Sequence, residues 1–216
     1  IETFSYITNS IEHLLEKNVV HFDIKEGNIL YSIKYENPIL IDFGISIPID
    51  KLTNENLSDY FYVYGPEYYI WPIEVHVINY LLHVNDVLTL DTIKSIVEKS
   101  VSNNIGLNIF SDEFKKQYKL LAINYFKKYI DTDKFVTIKE LVAYYKTWDL
   151  YALSIMYLKF FQILFKDGFF ESKFVIAFAE ILLTNISPDP NKRISIADTI
   201  KKYVNINRNN IQLATD

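Results

Sequence analysis

Phe4, Ile7, Ile11, Leu14 and Leu15 recur at three- and four-residue intervals with Asn9, Ser10, Glu12 and Glu16 between them. That period predicts an amphipathic helix over 3–17 with one buried face. Three short apolar or β-branched runs follow, at 19–20, 29–31 and 39–41, each bounded by polar residues, Gly or Pro. They are too short for helices and predict small strands flanking loops. Residues 45–72 hold no period and carry Pro48, Gly65 and Pro66, which predicts a long loop of the kind that is usually functional or disordered. From Glu74 onward the pattern turns helical, over 74–83, 90–100, 112–130, 138–146, 148–165, 172–185 and 196–203. Thr137-x-x-Glu140 has capping-box spacing and Ser195-x-x-Asp198 is its acidic relative, each offering an acceptor to the first backbone N–H groups of a helix. Residues 205–216 are polar enough to fray.

Half of the 216 residues are hydrophobic, enough for one sizeable core without covalent staples. The chain has no cysteine, which excludes disulfides and thiolate metal sites and gives no sign of an oxidising compartment. A net charge of −5 argues against a nucleic-acid surface. The most apolar stretches, 148–165 and 174–186, carry Asp149, Lys159 and Glu180, so they read as buried helices and no membrane partner is expected. No signal peptide is evident, and an intracellular, cytoplasmic setting is expected. The chain begins at Ile1 and its only methionine is Met156, so it is expected to be part of a longer product.

The chemistry concentrates in His21-Phe22-Asp23-Ile24-Lys25-Glu26-Gly27-Asn28, between two predicted strands. A carboxylate can accept the proton of an incoming hydroxyl, an ammonium two residues on can neutralise a transferring phosphoryl group, and an amide oxygen five residues on can hold a metal. Asp42-Phe43-Gly44 follows the third predicted strand. A carboxylate there, with a glycine that lets the backbone turn, can chelate Mg²⁺ that bridges nucleotide phosphates.

These residues resemble the protein kinase signature HxDxKxxN followed by DFG, of the Ser/Thr type, and the resemblance runs on along the chain. Trp71-Pro72-Ile73-Glu74 resembles the APE motif that closes the activation segment, and Pro188-Asp189-Pro190-Asn191-Lys192-Arg193 resembles the late loop whose arginine pairs with its glutamate. The resemblance implies an α+β protein kinase-like fold, C-terminal lobe only, predominantly α-helical with a few short β-strands around the catalytic loop. It implies ATP and Mg²⁺ as cofactors and a protein substrate. Asp23 would be the base, Lys25 would stabilise the transferring phosphoryl group, and Asn28 and Asp42 would hold the metal. Leu30 would lie beneath the adenine, while His21 and Phe43 would stack in the column linking two lobes. Gly44 would permit the turn, Glu74 would pair with Arg193, and Asp149 would brace the catalytic loop by accepting backbone hydrogen bonds, although an ordinary N-cap aspartate reads the same way.

Several departures shape the expectation. The glycine-rich loop and the ATP-anchoring lysine with its glutamate belong to an N-terminal lobe of the same parent chain that would precede Ile1, so the fragment alone is expected to be inactive. Phe22 stands where many kinases carry the arginine that receives an activation-loop phosphate, so such phosphorylation is not expected to be the main switch. Residues 65–71 lack the threonine of a Ser/Thr kinase substrate loop. Glu74 and Asp149 lie 75 positions apart, which marks 84–146 as a helical insertion. The lobe itself then comprises 1–83 and 147–204, with 205–216 as a tail and the docking helix shortened to 167–173. Some large DNA virus kinases look similar in the tryptophan-proline segment and insertion. A small-molecule kinase of the aminoglycoside or choline type and a pseudokinase scaffold are the rival readings; Lys25 and the Glu74/Arg193 pair speak against the first, the intact Asp23, Lys25, Asn28 and Asp42 against the second.

Overall fold

The computed structural model describes residues 2–166 and 172–215. The chain is mostly helical with a few short strands. Helix α1 (Glu2–Glu16) leads into β1 (Val19–Val20), which pairs antiparallel with β4 (Ile47–Pro48). Between them β2 (Ile29–Ser32) and β3 (Asn37–Leu40) form an antiparallel hairpin in which Ile29 faces Leu40 and Leu30 faces Ile39. The helices α2 (Leu57–Tyr60), α3 (Ile73–His83), α4 (Leu90–Ser102), α5 (Asp112–Phe126), α6 (Lys134–Val142), α7 (Trp148–Lys166), α8 (Lys173–Asn185) and α9 (Ile196–Thr215) follow.

The centre is α7, whose Trp148, Leu150, Tyr151, Leu153, Ile155 and Leu158 are all buried, as an apolar run without a polar stripe requires. Phe4 carries α1 onto this centre, its ring meeting Tyr157 of α7, Phe178 of α8 and Tyr203 of α9 with centroids 4.7–5.1 Å apart. Residues 84–146 share the same core through Ile93, Val97, Leu107, Tyr118, Phe126 and Leu141. The turn Ile105–Ile109 approaches α7 so closely that a Cβ on Gly106 would stand 2.8 Å from the Ile155 carbonyl oxygen. Only glycine fits there.

Local chemistry moves several boundaries. Helix α6 starts at Lys134, capped by Asp133, whose carboxylate accepts from Phe135 and Val136 N–H at 2.9 and 3.0 Å. The expected capping box at Thr137 is therefore corrected: Thr137 lies inside the helix, buried, with no hydrogen-bond partner for its hydroxyl among the described residues. Ser195 does cap α9, accepting from Asp198 N–H at 3.1 Å. That helix continues to Thr215, past the predicted end at 203. The expected docking helix over 167–173 falls largely outside the described residues.

His76 on α3 is fully buried, and neither ring nitrogen has a hydrogen-bond partner among the described residues. Burial pulls its pKa down from 6.5 to about 3. His76 thus stays neutral in the fold while the unfolded chain protonates it below about pH 6.5. Its contribution to stability is complete above that pH and is lost as the pH falls towards 3, amounting to about 2 kcal/mol by pH 5. Urea unfolding at pH 7 and pH 5 should show this drop in the parent and a smaller one in His76→Leu. Equal drops in the two proteins would contradict the assignment.

Candidate active site

Beyond β1 the backbone enters a left-handed turn at Phe22, φ 69°, an uncommon conformation for a bulky residue that persists only where the surroundings enforce it. Here four contacts do so. Asp149 in the first turn of α7, buried, accepts the N–H groups of His21 at 2.7 Å and Phe22 at 2.8 Å. Trp71 stacks on the Phe22 ring at 4.8 Å, and its indole N–H donates to the Phe22 carbonyl at 2.9 Å. Burial pushes the Asp149 carboxyl up, while the two backbone donors pull it down. The loop is held from below by α7 and from the side by the segment preceding α3.

This turn delivers Asp23. Its Oδ2 accepts from Lys25 Nζ and from Asn28 Nδ2, each at 2.8 Å, and Asn28 Nδ2 also reaches the Asp23 carbonyl at 2.9 Å. Lys25 and Asn28 are thus brought onto Asp23 by a tight loop ending in the 3₁₀ turn Glu26–Asn28. Glu26 is anchored outward by Lys159 of α7 at 2.5 Å. The Asp23 side chain is 9 % exposed and that of Lys25 39 %, so the carboxylate sits at the floor of the site and the ammonium at its lip. Sequence reasoning missed one group here. Tyr68 donates its hydroxyl to Asp23 Oδ1, and Lys25 Nζ lies 3.4 Å from the same hydroxyl oxygen. Burial and then the Asp23 carboxylate push the Tyr68 phenol well above its usual range, which keeps it a donor.

Asp42 is tied to this loop through its neighbour. Ile41 N–H donates to the Asn28 carbonyl at 3.0 Å, and its carbonyl lies 3.0 Å from His21 Nε2. Asp42 itself is exposed and left-handed, φ 62°, with Oδ1 accepting from Gly44 N–H at 3.3 Å. The His21 and Phe43 rings meet at 4.6 Å in a tilted contact, His21 buried and Phe43 half exposed. Leu30 is exposed on β2 beside its cross-strand partner Ile39, making an apolar step. Among the described residues no group of three or more His, Asp or Glu side chains could hold a metal by itself. The donors available are hard oxygens, the Asp42 carboxylate and Asn28 Oδ1, whose amide nitrogen is already used on Asp23. That set suits Mg²⁺, which takes one or two protein oxygens and draws the rest from phosphates and water.

The base of the site is fixed by a buried ion pair. Arg193 donates from two nitrogens to the two Glu74 oxygens at 2.5 and 3.0 Å, both side chains essentially inaccessible. It also donates to the Ser187 carbonyl at 2.9 Å and to Thr147 Oγ1 at 3.0 Å, while Trp148 Nε1 donates to Glu74 at 3.2 Å. Asn104, from the stretch between α4 and α5, donates to the Tyr69 carbonyl and the Tyr151 hydroxyl, both at 3.3 Å. It supports the segment carrying Tyr68 and was not anticipated.

Residues 4–65 are similar to the ABC1 atypical kinase-like domain. The match spans His21 to Asn28 and Asp42 to Gly44, and it supports a place in the protein kinase-like superfamily. It covers under a third of the chain and ends before Tyr68, Glu74, Asp149 and Arg193. No curated protein and no solved structure matches the chain. Among the described residues no helix is long and apolar enough to cross a membrane.

Proposed function

We propose that this chain is the C-terminal lobe of a Ser/Thr-type protein kinase that transfers the γ-phosphoryl group of ATP to a protein hydroxyl. The observation that carries the reading is the Asp23 carboxylate held by Lys25 and Asn28 at one loop, with that loop hydrogen-bonded through Ile41 to the strand end that presents Asp42. In the reaction the acceptor oxygen bonds to the γ-phosphorus, the bond to the β,γ-bridging oxygen breaks, and ADP departs. Asp23 takes the acceptor proton, and the Lys25 ammonium offsets charge on the transferring group. Asn28 and Asp42 would hold Mg²⁺, which supplies charge neutralisation on the phosphates when bound. Leu30 would support the adenine.

The remainder of the ATP clamp would come from an N-terminal lobe of the same parent chain. An open cleft of about 540 Å³ beside α1 and β3, lined by Tyr6, Leu14, Pro38, Ile39 and Phe43, is a suitable seat for it. Three of these, Tyr6, Ile39 and Phe43, are exposed apolar side chains that docking would cover. Residues 84–146 are read as an insertion that has become part of the lobe's core. The tryptophan-proline segment at 71–72 and this insertion favour the style of the large DNA virus kinases.

A second reading, a kinase acting on a small alcohol, is favoured by the match of 4–65 to an atypical kinase-like domain. A radiolabelled-ATP assay on the complete gene product with Mg²⁺ separates the two. Label on casein with none on aminoglycoside or choline is expected, and the reverse pattern would replace the first reading with the second.

A further inference from the structure

One group at the Asp23 carboxylate has no part in the reaction as written: the hydroxyl of Tyr68. Lys25 and Asn28 both occupy Oδ2, so nothing in the catalytic loop fixes Oδ1. Tyr68 does, by donating to it. Its own placement is firmly set. Tyr68 N–H donates to the Gly65 carbonyl at 2.9 Å, and the Tyr68 carbonyl accepts from Trp71 N–H at 3.1 Å. Its ring packs edge-on against Trp71 at 4.7 Å, and Trp71 is in turn stacked on Phe22. The phenol, shifted towards its protonated form, offers a hydrogen to the carboxylate across the working pH range.

A base must be held within a fraction of an ångström and about 10–20° of its productive orientation, and a carboxylate anchored through one oxygen alone can still twist. Resting on the kinase reading, we propose that Tyr68 is a positioning residue: seated on the Phe22–Trp71 stack, its hydroxyl fixes Asp23 Oδ1 for the acceptor's proton. The packing of the Tyr68 ring on Trp71, itself stacked on Phe22, supplies the rigidity that this placement needs. Oδ1 retains a second lone pair for the acceptor, since each carboxylate oxygen carries two.

The test uses the complete gene product, Mg²⁺, radiolabelled ATP and casein. Tyr68→Phe keeps the ring and removes the hydroxyl. It should lower kcat by about tenfold to a hundredfold, with the KM values for ATP and casein within about twofold. A group that acts only through Asp23 has nothing to position once the base is gone, so Tyr68→Phe added to Asp23→Asn should change the residual rate by less than about twofold. That double variant also decides the matter if Tyr68→Phe lowers Tm, because a purely structural loss would reduce the residual rate as well. An unchanged kcat, additive losses, a raised kcat with a lower casein KM, or phosphate found on Tyr68 by mass spectrometry would each overturn the proposal; the last two would make Tyr68 a competitor or an acceptor. A parent protein that labels neither casein nor a small alcohol overturns the kinase reading itself. That result is distinct from an active parent indifferent to Tyr68→Phe.

Discussion

With Asp23 as the proposed base, Asp23→Asn is expected to reduce the proposed phosphoryl transfer by the complete protein about 10³-fold, within the range a positioned general base contributes. The amide is nearly isosteric and can still accept a hydrogen bond from Lys25 or Tyr68, so the loop should keep its shape. What it cannot do is take a proton from the acceptor. Removing the negative charge also leaves the Lys25 ammonium facing a neutral oxygen in place of its 2.8 Å carboxylate partner, held less tightly and freer to turn towards the nucleotide phosphates. The KM for ATP should therefore stay within a few-fold or fall, and the loss should lie in kcat, the pattern of an interaction made in the transition state and not in the ground state. Initial-rate measurements at saturating Mg²⁺-ATP, with thermal unfolding run beside them, separate this from misfolding. A rate within tenfold of the parent would remove Asp23 from the role of base and with it the central step of the proposed mechanism.

The groups proposed to bear the chemistry were readable because they are close in the chain. Asp23, Lys25 and Asn28 fall within one loop, and the short strands that frame it have β-branched runs and turn residues at their ends. Helix α7 was readable for a different reason: a long, mostly apolar stretch beginning at Trp148 has nowhere to go but the core. The misread boundaries share a physical cause. Phe135 and Val136 are apolar yet exposed in the first turn of α6, so they broke the expected period and hid the cap supplied by Asp133. Ile130 extended the apparent period of α5, whereas the chain turns out of the helix and passes through a left-handed residue at Asp131, φ 56°. Strand β4 has two residues, one of them proline, and exists only because Val19 and Val20 are there to pair with it. The roles of Tyr68 and Asn104 were hidden by distance, since their partners lie 35 to 47 positions away and no local spacing announces them.

Glu74→Ala is expected to destabilise the protein by about 3–5 kcal/mol, the range for removing one partner of a buried ion pair. The reason lies in what remains. Arg193 cannot shed its proton, and without Glu74 its guanidinium keeps only neutral acceptors, the Ser187 carbonyl and Thr147 Oγ1, in a site closed to water. Arg193→Ala should cost a similar amount by stranding the carboxylate, relieved in part by the Trp148 indole N–H. If stranded charge dominates, replacing both partners with apolar residues of similar bulk, Glu74→Leu with Arg193→Met, should recover a good part of the loss. Recovery should be incomplete, because Trp148 Nε1 would then lose its acceptor and the Ser187 carbonyl its donor, each worth about 1 kcal/mol or more when buried. Urea unfolding of the two single variants and the double one closes this cycle. Single variants within 1 kcal/mol of the parent would show that the pair has little net weight; single variants that simply add would show that the two residues act separately. The same cycle followed by activity asks a further question, because Glu74 opens the helix that follows Trp71 and Tyr68. If the pair holds that segment on the catalytic loop, the apolar double variant should regain stability ahead of rate, since Leu and Met can fill the space but cannot reproduce the bidentate geometry that sets where α3 begins.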